Sequence, residues 1–147
     1  MTRDAAPAAP HFFPVRVYYE DTDFSGVVYH ASYLRFLERG RTEYLRACGI
    51  SQGAIFAGQA GDVFAFALRR MAIDFLKPAR MDDELIVETS LMKLGGASVE
   101  MGQRILRSGE VLVTADMKIA IVNGGRASRM PAEVMAKLKE GCVTAGP

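Results

Sequence analysis

The chain has 147 residues, half of them hydrophobic and 24% charged, which fits one globular domain with a real apolar core. Its 18 basic and 17 acidic residues leave a net charge of +1, so no basic field exists to hold nucleic acid by its phosphates. Two distant cysteines, Cys48 and Cys142, make neither a metal cluster nor a disulfide framework, and they read as free thiols of a reducing compartment.

The opening stretch MTRDAAPAAPHFFP has no apolar h-region and carries Asp4 and three prolines. Residues 1–12 therefore read as a flexible tail, not a signal peptide. No apolar run reaches the roughly 18 residues needed to span a bilayer. The expected address is the cytoplasm, and one domain is expected over residues 13–140.

Phe13, Val15, Val17 and Tyr19 alternate with Pro14, Arg16 and Tyr18, which predicts a strand. Pro14 is tolerable near its start. Glu20 to His30 is polar, contains Gly26 and reads as a loop. From Ala31 to Cys48 the period becomes helical. Tyr33, Leu37, Gly40, Tyr44 and Cys48 share one face, with Ser32 as the expected N-cap and Gly49 as the C′ residue. Gly40 in mid-helix costs about 1 kcal/mol relative to Ala. Close approach to a sheet would explain its presence.

Ile50 to Ala60 reads as a short helix and a loop. Four strand-like stretches follow, over Val63–Leu76, Leu85–Leu94, Ala97–Arg107 and Val111–Val122. In the last, Val111, Val113, Ala115, Met117, Ile119 and Ile121 fall on one face. Gly95-Gly96 and Ser108-Gly109 are hairpin turns, Asp82-Asp83 is a turn, and Asn123-Gly124-Gly125 ends the set. A final short helix starts at Pro131 and ends by Gly141, with Pro at a position it suits. Strand, long helix, four strands and short helix make an α+β domain. Its antiparallel sheet needs one face covered, and the long helix is the cover.

The chemistry concentrates in Glu20-Asp21-Thr22-Asp23, followed by Phe24-Ser25-Gly26-Val27-Val28-Tyr29-His30. This run lies between a strand and the start of the long helix. A helix N-terminus offers unpaired amides and partial positive charge, which can hold a carbonyl oxygen as it becomes negative. With a carboxylate folded back beside that point, the pair is a minimal acyl-transfer site. A thioester suits it, because the thiolate leaves readily and a carboxylate suffices. No G-x-S-x-G or Cys-His pairing is present. Two other readings stand beside this one. Asp21, Asp23, Ser25 and Gly26 imitate half a calcium loop, yet the twelfth position is Ser32 and a strand precedes the loop. The other is an Asx-turn, which needs no catalysis. Alone, His30 reads as a helix-start residue, Tyr29 and Tyr33 as packing, and His11 as part of the tail. Arg69, Arg70, Lys77 and Arg80 are either solvated strand edges or contacts to the phosphates of a coenzyme A handle.

The run Tyr18-Tyr19-Glu20-Asp21-Thr22-Asp23, then Gly26-Val27-Val28-Tyr29-His30-Ala31-Ser32-Tyr33-Leu34 and Arg41-Thr42-Glu43, resembles the 4-hydroxybenzoyl-CoA thioesterase family of hotdog-fold proteins. Within it the likeness is to bacterial acyl-CoA thioesterases associated with the Tol–Pal system. It continues through Lys77-Pro78-Ala79-Arg80 and Asp82-Asp83-Glu84-Leu85 and spans about Val15 to Leu138.

The resemblance implies a hotdog fold, an antiparallel five-stranded sheet wrapped around one long central helix. It implies acyl-CoA hydrolysis by a homodimer with active sites where subunits meet, two dimers joining as a homotetramer. It places the catalytic carboxylate at Asp23, a second catalytic residue at His30 and the oxyanion donor at the His30 amide. Tyr29, Arg69, Arg70 and Lys77 are the expected substrate contacts, with Phe64, Phe66 and Met71 as pocket walls. No metal or redox cofactor is expected, since coenzyme A is part of the substrate. The expected partners are acyl-CoA, further copies of the chain, and the Tol–Pal envelope system or an acyl carrier protein. Some family members carry an Arg-Arg-Lys cluster for the phosphates where this chain has Leu94-Gly95-Gly96-Ala97. The competing activities are a hotdog enoyl-CoA hydratase and a non-catalytic acyl-CoA or acyl-carrier binding module.

Overall fold

Period-two runs become the strands of one curled sheet in the computed structural model, which describes residues 9–56 and 64–141. Residues 1–8 of the expected tail, Val63 and Cys142 lie outside the described residues. The elements are β1 (His11–Arg16), a 3₁₀ turn (Tyr19–Asp21), α1 (His30–Ala47) and α2 (Gln52–Phe56), then β2 (Ala65–Phe75), β3 (Glu84–Leu94), β4 (Ser98–Arg107), β5 (Glu110–Asn123), β6 (Arg126–Ala127) and α3 (Ala132–Glu140). The sheet runs β1-β3-β4-β5-β2, every pairing antiparallel, with β6 added beside β5. β1 and β2 are therefore its two edges.

Alternation decides which face is buried. Val113, Ala115, Met117, Ile119 and Ile121 of β5 all turn inward and are buried. Thr114, Asp116 and Lys118 between them are not. Against this inner face lies α1, whose stripe of Tyr33, Leu37, Gly40, Tyr44 and Cys48 is buried throughout. Burying a side chain such as Leu37 stabilises by about 1.5–3 kcal/mol. Gly40 earns its place by proximity: a Cβ there would lie 2.5 Å from Val87 Cγ1 on β3. Gly49 ends the helix at φ +85°, as a C′ glycine does,.

One buried polar chain crosses this interface. Gln103 on β4 donates through Nε2 to the Leu37 carbonyl and to Thr89 Oγ1, each at 2.9 Å. Its Oε1 accepts from Arg41 Nη1 at 3.0 Å. A buried amide must be paired in this way or it opposes folding.

Several expectations shift. α1 begins at His30, not after Ser32, and Tyr29 occupies the N-cap position without a side-chain cap. Ser32 is buried in the first turn, and its Oγ accepts from Arg35. The tight loop before Tyr29 brings the chain to helical geometry earlier than capping chemistry indicates. β1 starts at His11, opposite Thr89, and part of the expected loop is the 3₁₀ turn. Asn123-Gly124-Gly125 does not end the sheet but turns the chain into β6, with both glycines at positive φ. Ser108 and Gly109, both at positive φ, form the primed two-residue turn whose twist matches the flanking strands. Cys48 is not a free thiol: it is disulfide-bonded.

Candidate active site

The segment between the 3₁₀ turn and α1 folds as a small hairpin. Thr22 and Val28 bridge, and the Asp23 amide donates to the Val27 carbonyl at 2.9 Å. Gly26 makes the reversal at φ +85° with its amide on the Asp23 carbonyl. L-residues with side chains rarely take that conformation.

The two carboxylates of Asp21-Thr22-Asp23 part company here. Asp21 is buried, its Oδ2 accepting from the Tyr18 amide at 2.8 Å while its carbonyl holds the Tyr29 amide at 2.9 Å. Asp23 is half-buried. Its Oδ1 accepts from the Ser25 amide at 2.8 Å and from Ser25 Oγ at 2.9 Å, which is Asx-turn geometry. The Ser25 hydroxyl and then its amide hold the Asp23 carboxyl below its ordinary range, so the group is an anion at neutral pH. The Val27 amide and the group's own amide add smaller contributions that also favour the charged carboxyl. Calcium is poorly served, since Asp21 is committed to a backbone amide. Among the described residues no three His, Cys, Asp or Glu side chains gather as a metal site.

The hairpin feeds directly into α1. The amides of His30 and Ala31, first in the helix, have no acceptor among the described residues, as helix starts dictate. Both Tyr29 and His30 are exposed, and their rings lie 4.4 Å apart between centroids. The Phe75 ring, at the end of β2, stands 6.2 Å from His30. Tyr29 and His30 thus meet at the mouth of the helix, and Asp23 lies on the hairpin that leads into it.

The basic candidates sit elsewhere. Arg69 marks a bulge in β2, and Arg70 faces the outer side of the sheet opposite Lys118. Lys77 is held by Glu110 at 2.5 Å. Arg80 is exposed, with its amide on Asp83 Oδ2. Of the expected pocket walls, Met71 and Phe66 do border open space. A groove of about 440 Å³ between α1 and β2 is lined by Leu34, Arg35, Glu38, Arg41, Leu68, Met71 and Ile73. It is flanked by a second of about 320 Å³ that Phe66, Glu38 and Arg41 share. Phe64 instead borders a separate 140 Å³ cavity near α2 and α3. Leu34, Glu38 and Arg41 were missed as groove residues. Their spacing of four and three marks a second stripe beside the core face of α1, which could have shown them.

A curled antiparallel sheet on one central helix defines a hotdog-type domain. The chain belongs to the Thioesterase-like superfamily, whose profile matches residues 17–138. It is 45% identical over 126 residues to the acyl-CoA thioesterase YbgC of Haemophilus influenzae, covering 84% of this chain and 90% of that one. To the acyl-CoA thioester hydrolase YbgC of Escherichia coli it is 40% identical over 131 residues, covering 87% and 95%. Among solved structures, one described as a probable thioesterase from Bartonella henselae superposes with a TM-score of 0.81 at 46% identity, covering 84% of this chain and all of the other.

Proposed function

We propose that this protein hydrolyses acyl-CoA thioesters to the free acid and coenzyme A, with Asp23 as the catalytic carboxylate. The observation that carries the reading is the state of Asp23. It is an anion with one oxygen braced by Ser25, on a hairpin tied to the start of a helix whose first amides are unpaired among the described residues. The relatives named acyl-CoA thioesterases support the same substrate class.

Two routes use these groups. In one, the Asp23 oxygen bonds to the thioester carbon, the C–S bond breaks and the thiolate leaves to be protonated. Water then cleaves the mixed anhydride. In the other, Asp23 takes a proton from water, the hydroxide adds to the carbon, and the thiolate departs with that proton. In both, negative charge builds on the carbonyl oxygen and the His30 amide stabilises it. The His30 ring orients the thioester, and Tyr29 beside it walls the pantetheine arm. Arg69 and Arg70 contact the nucleotide phosphates, with Lys77 shared between them and Glu110. The acyl group lies in the groove bordered by Phe66 and Met71. The chemistry calls on no metal or redox cofactor.

The single domain over residues 13–140 works as a homodimer, and two dimers join as a homotetramer. The long edge strand β2 supports this, since it is paired on one side only among the described residues. The proposed address is the cytoplasm, shared with the acyl-CoA substrate. No helix among the described residues is long and apolar enough to cross a membrane. The disulfide at Cys48 argues the other way, because such bonds persist in oxidising surroundings,. A functional link to the Tol–Pal envelope system or to an acyl carrier protein completes the reading.

Thiol release over a panel of saturated and unsaturated acyl-CoAs, with wild type and Asp23→Asn in parallel, tests it. Wild type should release thiol from saturated substrates, and Asp23→Asn should fall by about 10²-fold or more while staying folded. Equal rates in the two proteins would end the assignment. Water addition to enoyl-CoA without thiol release would mean a hydratase, and tight binding with no turnover a binding module.

A further inference from the structure

We infer that Tyr33 is a positioning residue of the thioesterase site, acting through the backbone of Ala79. The inference rests on the reading of Asp23 and the helix mouth given above. Tyr33 lies in the first turn of α1, on the helix that presents the His30 amide, and it is 4% exposed. Its hydroxyl oxygen accepts from the Ala79 amide at 2.9 Å. Ala79 is fully buried, and its carbonyl accepts from the Val28 amide at 2.8 Å. One buried residue therefore grips the helix with its N–H and the Asp23 hairpin with its C=O. Burial pushes the Tyr33 phenol upward, so it stays a neutral hydroxyl.

The segment carrying Ala79 is itself fastened. Arg107 Nη1 donates to the Pro78 carbonyl at 3.2 Å and to Asp83 Oδ2 at 2.8 Å. The same Asp83 oxygen accepts from the Arg80 amide at 2.9 Å, and Arg80 bridges to Val27 of the hairpin. The Tyr33 ring packs on Phe75 at 5.6 Å, the residue that also meets His30. A second tie, from the Tyr29 amide to the Asp21 carbonyl, holds the hairpin at its base, and the Ala79 segment meets its other strand at Val27 and Val28. Without the Tyr33 hydroxyl, the carboxylate and the oxyanion amides lose their common reference. Misplacement of about 1 Å between reacting groups can lower turnover by about 10²-fold.

The test is steady-state kinetics on Tyr33→Phe, which keeps the ring and removes only the acceptor. It runs beside Arg107→Met, which loosens the same segment from its half-exposed side, and Leu138→Ala, a core change on α3 remote from the site. At a temperature where all are folded, Tyr33→Phe should lower kcat by about tenfold or more with KM within about twofold. Arg107→Met should show a smaller loss in the same direction, and Leu138→Ala should lose thermal stability with kcat unchanged. A Tyr33→Phe kcat within about twofold of wild type would overturn the inference, as would an equal kcat loss in Leu138→Ala. If Tyr33→Phe does not fold, Arg107→Met decides, and an unchanged kcat there overturns it. A wild type without thiol release, or an active Asp23→Asn, would instead mark failure of the underlying thioesterase reading and remove this inference with it.

Discussion

Asp21 and Asp23 stand two positions apart and do unlike work. Asp21 accepts from the Tyr18 amide and holds the chain together, while Asp23 accepts from Ser25 and is the carboxylate of the proposed chemistry. The carboxylate pair was visible in the sequence, and so was the Asx-turn at Asp23. The division of labour was not, because it depends on where the Tyr18 amide points, and only the family resemblance singled out Asp23. Ser25 supplies a test at this scale. Its hydroxyl, more than its amide, favours the charged form of Asp23, so Ser25→Ala should raise that group's pKa toward the ordinary carboxylate range. Activity that needs the anion is present above the folded pKa and lost as pH falls through it. The acid limb of kcat/KM in Ser25→Ala should therefore sit at higher pH than in wild type. A limb that stays put or moves down would show that another group controls it.

Among the elements, α1 was the most legible. Its buried stripe follows from spacing alone, and the oddity of a mid-helix glycine correctly pointed to a close sheet. Its start was not legible, since Ser32 has capping chemistry yet is buried inside the first turn. β6 is two residues long, too short to carry any period. The Gly40 contact makes a quantitative claim. Gly40→Ala gains about 1 kcal/mol of helix propensity but drives a methyl to 2.5 Å from Val87 Cγ1, and overpacking costs about 1–3 kcal/mol. The net effect should be destabilising in urea unfolding. Adding Val87→Ala in the same chain should recover part of the loss, because the two sites are coupled. Simple addition of the two single effects would refute the close-approach argument.

At the scale of the whole molecule, local patterns showed the strands but not their order. The pairing of β1 with β3 and of β2 with β5 joins segments far apart in sequence, which local periodicity cannot reveal. That order leaves β2 as an edge of 11 residues with Leu68 at 46% and Phe75 at 47% exposure. A long edge with apolar side chains invites pairing with another chain. Leu68→Glu should shift the protein toward monomer in sedimentation velocity and lower turnover in parallel. A monomeric wild type with full activity would remove the subunit boundary from the proposal.

Gln103 holds α1 at two points, the Leu37 backbone carbonyl and the Arg41 guanidinium. The carbonyl contact is indifferent to the side chains at Leu34 and Glu38, so changing those two leaves the helix held at the same axial height. On the proposed reading, Leu34, Glu38 and Leu68 are the positions free to change with the acyl tail, while the mouth of the helix keeps its place.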